Sequence, residues 1–154
     1  MIQIIPALSD IDPVIVDALG KAARAVLTYE GIEDDADLII CIEGDEKIQG
    51  LNRHFRGVDA TTDVLAFPAN EIDPESGHTH LGDVIISYPR AVAQAQAAGH
   101  SVVNELQLLT VHGALHVLGY DHQIGEEHDH MWATQRLILN QIGCKLAKEP
   151  GTDE

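Results

Sequence analysis

The chain has 154 residues, of which 45% are hydrophobic, enough for one buried core and too few for two ordinary domains. A formal charge of -16 excludes a protein that coats nucleic acid by bulk electrostatics, although it leaves room for a local basic groove. No run approaches the roughly eighteen apolar residues of a membrane span, and the start of the chain lacks the basic-then-apolar order of a secretion signal. The expectation is a cytoplasmic protein without membrane association.

Residues 2–5 are a short β-rich run, and Asp12-Pro13 supplies a capping carboxylate and a first-turn proline for a helix reaching about residue 29, before Gly31. Residues 37–43 (DLIICIE) read as a buried strand, and Asp45 reads as the cap of a helix through Ile48, Leu51, Asn52 and Phe55 to Gly57. Two further strands are predicted at 64–67, closed by Pro68, and at 83–87, with a polar loop over 70–77 between them. Pro89 opens an Ala- and Gln-rich helix to about 98, Ser101 caps another that runs to Leu118, and a last helix covers about 126–142. Residues 148–154 are expected to be a disordered tail, which leaves 1–147 as a single domain. This order predicts an α+β fold: a mixed sheet of about four strands with helices packed on it, one of them a zincin-like metal-site helix. Cys41 and Cys144 are too isolated for a disulfide framework and are expected as small buried hydrophobes.

The chemistry is concentrated in Val111-His-Gly-Ala-Leu-His-Val-Leu-Gly-Tyr-Asp-His122. His112 and His116 stand at i and i+4 of the predicted helix, so their imidazoles share one face, a turn apart, within reach of a single metal ion. Gly119 stops the helix and can take the positive φ that turns the chain back, which would bring His122 to the same metal. Three neutral imidazoles with an open position describe a catalytic zinc site, one ion per chain, although the same ligands admit other divalent transition metals. The spacing matches the metzincin motif H-E-x-x-H-x-x-G-x-x-H, with Gly113 in place of its glutamate base. A glycine cannot carry a proton through a side chain, so peptidase activity is disfavoured.

The stretch HGALHVLGYDH, together with NRHFRGVDATTDVLAFP and LGDVIIS, resembles the YbeY family of bacterial endoribonucleases. The resemblance implies a metal-dependent, single-strand-specific endoribonuclease acting in 3'-end maturation of small-subunit ribosomal RNA and in ribosome quality control. It implies metal ligands at His112, His116 and His122, a functional arginine at Arg56, and the small ribosomal subunit with its proteins as partners. The family often has lysine where this chain has Val58, and serine at Ala66.

From its chemistry alone, Arg56 suits an anionic substrate. A guanidinium binds phosphate bidentately and steadies added charge, while the metal polarises a phosphoryl oxygen or activates water. Arg53 lies three residues away on the same face, so a small basic strip is expected. Thr61 and Thr62 with Asp63 are expected to shape the turn into the strand, where one threonine could equally face the site, and Asp121 could orient a ligand or simply favour the turn. His78 and His80 read as solvated loop residues, and His128 and His130 as the exposed start of the last helix. Phe55, Phe67, Tyr88 and Trp132 read as core rather than as platforms for bases. Two alternatives stand beside the ribonuclease: a metallopeptidase with a base from elsewhere, and a ribosome-associated binding factor whose zinc is structural.

Overall fold

A computed structural model describes residues 1–120 and 125–147 of the chain. In order, these form β1 (Ile2–Pro6), α1 (Pro13–Tyr29), β2 (Ala36–Glu43), α2 (Asp45–Arg56), β3 (Val64–Ile72), β4 (Thr79–Ser87), α3 (Tyr88–Ala98), α4 (Val102–Val117) and α5 (Gly125–Gln141). The sheet runs β1-β2-β4-β3, with β1, β2 and β4 parallel and β3 antiparallel to β4. This is the mixed sheet with packed helices that the sequence predicts. The expected tail at 148–154 lies outside the described residues.

Alternation along the strands decides which face is covered. Leu38, Ile40 and Ile42 of β2 are buried and pair in register with Gly82, Val84 and Ile86 of β4, so one face of the sheet is apolar. Val64, Ala66 and Pro68 of β3 continue that face opposite Ile86, Val84 and Gly82. Helices α1 and α4 pack on each other and against the sheet, α1 on β1 and α4 on β3 and β4, while α3 and α5 lean on α4. Leu19, Val26, Leu106, Leu115 and Ile138 close the core between them with no exposed surface. Helix starts follow local chemistry: the Asp12 carboxylate accepts from Val14 N, and the Ser101 hydroxyl accepts from Asn104 N.

Several expectations need correction. Asp45 does not cap α2; Gly44 is the capping residue and Asp45 is already helical. Its carboxylate is engaged elsewhere, accepting from Ser87 Oγ at 2.7 Å and Thr61 Oγ1 at 3.0 Å, which ties the start of α2 to the end of β4 and to the loop before β3. Pro68 does not close β3, which continues to Ile72 past an irregularity between Pro68 and Glu71. An outermost strand tolerates a proline because its amide need not pair. The polar loop thus shrinks to a turn in which Asp73 N donates to His78 O and Gly77 N to Asp73 O. His78 and His80 are half-buried, each ring against a carboxylate, Asp37 and Asp83 respectively.

Cys144 is buried and Cys41 only half-buried, both as free thiols. Burial, and then the charge of Glu105, pushes the Cys144 thiol up to about 11. Phe55 departs furthest from expectation: at 61% exposed it is on the surface. Phe67, Tyr88 and Trp132 are half-buried.

Candidate functional site

Helix α4 is buried along almost its whole length, and its two histidines are the half-buried exceptions near its C-terminal end. His112 and His116 sit one turn apart with ring centroids 4.8 Å apart and planes at 73°. The helix ends at Val117, and Gly119 takes a φ of 102°, a conformation that a side chain would strain. The predicted helix stop is therefore where the spacing placed it.

Gly113, between the histidines, has a second role that the motif does not reveal. A Cβ at this position would lie 2.5 Å from Val84 Cγ1 and 3.2 Å from Val64 Cγ2. The missing side chain lets α4 settle directly onto β3 and β4, and the position has no room for the glutamate of a peptidase.

The histidines form one wall of a cleft of about 620 Å³. Arg56, the last residue of α2, reaches the same cleft, as do Thr62 and Asp63 from the loop before β3, Ala66 of β3 and Tyr120 beyond α4. Asn52 anchors that loop, its buried amide donating to Ala60 O at 2.9 Å. Thr62 is thus the threonine that faces the cleft, whereas Thr61 is committed to Asp45. Asp63 brings a carboxylate whose oxygens accept from Thr62 Oγ1 at 3.4 Å and Gln94 Nε2 at 3.3 Å. The expected basic strip is shorter than the sequence suggests, because Arg53 pairs with Asp59 at 3.4 Å on the exposed surface.

Sequence reasoning missed Gln135. It is 2% exposed on α5, and its Oε1 lies 2.9 Å from His112 Nδ1. An amide oxygen only accepts, so Nδ1 carries the proton and Nε2 keeps the lone pair, the tautomer in which an imidazole binds metal. Met131, Thr134, Gln135, Ile138 and Leu139 are buried at helical spacing, and a glutamine inside such a stripe was the available signal. Trp132 supports the same ring from the side, with centroids 5.4 Å apart and planes at 30°. Its indole N–H donates to His128, so His128 is half-buried rather than the solvated residue the sequence suggested. His130 is exposed as expected, stacked on Tyr120. Burial, and next a hydrogen bond with Glu30, pushes the Tyr120 hydroxyl up to about 12, so at neutral pH it is a donor and never a base.

His122 and Asp121, the remaining residues singled out in the motif, lie outside the described residues. Among the described residues no group of three or more His, Cys, Asp or Glu side chains is placed to share a metal. Two imidazoles on one helical face, one of them oriented by a buried amide, still form a donor pair suited to a borderline-soft transition metal. Were a metal ion held by this pair, replacing Gln135 with Leu would weaken its binding about 10- to 100-fold while leaving thermal unfolding cooperative, as measured by competition with a chelating dye.

Fold and cleft together define an α+β protein that presents paired imidazoles and a guanidinium to one polar cleft, an arrangement suited to an anionic ester. The model for the family described as "Endoribonuclease YbeY" matches residues 9–143. The "Endoribonuclease YbeY" of Pelotomaculum thermopropionicum is 42% identical over 135 residues, covering 86% of this chain and 89% of that one. The protein of the same name from Chloroflexus aurantiacus is 48% identical over 130 residues, covering 80% of this chain and 84% of that one. The solution structure of TM1509 from Thermotoga maritima is 22% identical, covers 98% of this chain and 99% of its own, and superposes with a TM-score of 0.60, a likeness of fold. The chain belongs to the YbeY endoribonuclease family. No helix of the described residues is long and apolar enough to cross a membrane.

Proposed function

We propose that the chain is a metal-dependent endoribonuclease for single-stranded RNA, in which His112, His116 and His122 hold one zinc ion and Arg56 binds the scissile phosphate. The observation that carries this reading is the convergence of Arg56 with His112 and His116 on one cleft, although they come from distant helices. A bound zinc supplies Lewis acidity, polarising a phosphoryl oxygen or lowering the pKa of a water. The chain's own groups divide the remaining work. Arg56 binds and orients the phosphodiester and offsets charge that accumulates as the phosphorus gains a fifth substituent. Gln135 keeps the His112 proton on Nδ1, Asp63 orients a water or a ribose hydroxyl, and Tyr120 closes one side of the cleft.

The substrate we infer is small-subunit ribosomal RNA, near its 3' end, with the ribosome presenting the strand. A net charge of -16 would repel free RNA and would suit basic ribosomal proteins, so delivery by a partner fits the composition better than capture from solution. The peptidase alternative loses support because position 113 faces the sheet with no space for a base.

The test combines elemental analysis with cleavage of a labelled single-stranded RNA and of the same sequence in a duplex. Wild type is expected to hold about one zinc and to cut only the single strand. Arg56→Ala should keep its metal and lose about 100- to 1,000-fold in kcat, and Arg56→Lys should recover little, since an ammonium lacks the planar fork. An Arg56→Ala protein that cuts like wild type would remove the arginine from the mechanism.

A further inference from the structure

Consecutive residues at the end of α2 point to opposite sides of the outer sheet edge. Arg56 lines the cleft on the α4 side of β3, the side shared by Val64 and Ala66. Phe55 packs instead on Phe67, with ring centroids 5.3 Å apart and planes at 60°. Strand alternation puts Phe67 on the face of β3 opposite Ala66. Phe55 and Arg56 are therefore associated with opposite faces of β3. His54 adds a third ring edge-on to Phe55, with centroids 4.6 Å apart.

Phe55 is anchored by these contacts yet 61% exposed, in a chain with only two phenylalanines. An exposed aromatic ring beside Arg56, in a last turn of α2 whose Arg53 is already paired with Asp59, is distinctive on the surface of a strongly acidic protein. A flat apolar ring joined to cationic groups fits one ligand class well, an unpaired nucleotide, whose base stacks while its phosphate pairs with arginine.

We infer that Phe55 is a base-stacking residue for the RNA strand, receiving the nucleobase next to the phosphate held by Arg56 as the strand bends over the β3 edge. This rests on the ribonuclease reading and adds to it a structural reason for single-strand preference. A base stacked on Phe55 has left its own helix, which a paired nucleotide cannot do without breaking its pairs. Contacts with Phe67 and His54 restrain the ring, so it needs little ordering when substrate arrives.

The experiment uses the full-length zinc-loaded protein and a single-stranded oligoribonucleotide carrying 2-aminopurine beside the cleavage position. Phe55→Ala, Phe55→Leu and Phe55→Trp are compared with wild type for kcat, for KM and for quenching of the 2-aminopurine fluorescence on binding. Phe55→Ala and Phe55→Leu should raise KM about ten-fold, change kcat less than about two-fold, and lose the quench. Phe55→Trp should retain both. Because the side chain is largely exposed, all three should melt with wild type, which separates stacking from damage to the fold. If wild type cuts RNA and Phe55→Leu matches it in KM and quench, stacking is overturned while the ribonuclease reading stands, and the ring is then an apolar contact for a protein partner. If wild type neither binds nor cuts the strand, the ribonuclease reading falls and the stacking role falls with it.

Discussion

His116→Ala is expected to release the metal and reduce RNA cleavage by at least about a thousand-fold, the several kcal/mol of charge stabilisation that a Lewis acid supplies. The fold should survive. His116 is half-buried on the cleft wall in the last turn of α4, and alanine is the better helix former. Losing one of two imidazoles on the same helical face would leave His112 alone to hold the proposed ion from this helix, however well Gln135 orients it. Elemental analysis, circular dichroism and a single-turnover rate on the same preparation check the three parts together. Retention of both metal and rate would take the histidine pair out of the mechanism.

Gly113→Ala is expected to destabilise the protein by about 2 kcal/mol, and Gly113→Glu to prevent folding. The added methyl would meet Val84 Cγ1 at 2.5 Å, and Val84 itself is fully buried. Helix α4 cannot simply retreat, because α1 and α5 are packed against it. Overpacking of this kind costs ~1–3 kcal/mol or more, against a helical gain of about 1 kcal/mol for replacing glycine. A glutamate would also bury an unpaired carboxylate. Urea unfolding measures the alanine variant, and the double variant Gly113→Ala/Val84→Ala should recover part of the loss through a coupling of about 1 kcal/mol. A single variant as stable as wild type would mean that α4 can slide. Both substitutions fall within a few residues of one another, yet one removes chemistry and the other removes the seat of the helix.

What the sequence disclosed and what it hid differ by range. Asp12, Ser101 and Gly119 act on amides or dihedrals a few residues away, so the bounds of α1 and α4 were legible. The pair His112 and His116 was legible for the same reason, since a helical turn alone brings them together. Asp45 resembled a cap because its position allowed one, but hydroxyls from Thr61 and Ser87, remote in sequence, claimed its carboxylate. Pro68 resembled a strand end because a chain read alone does not say which strand will lie outermost. Gln135 was hidden because its partner belongs to another helix. Phe55 was misplaced because apolar character predicts burial without saying which side of α2 meets the sheet; Ile48 and Asn52 took the inner positions. Arg56 was marked only by the likeness of its sequence block, and its place on the cleft needed the loop anchored by Asn52.

The outer edge of β3 bears on self-association. An unpaired strand edge is a template on which another chain can extend the sheet. Here Pro68 lacks the amide that such pairing needs, the irregularity between Pro68 and Glu71 breaks the register, and Glu71 sets an exposed charge beside it. These features guard the edge against a second copy adding a strand. The outermost position that lets β3 carry a proline thereby makes that proline a safeguard against aggregation.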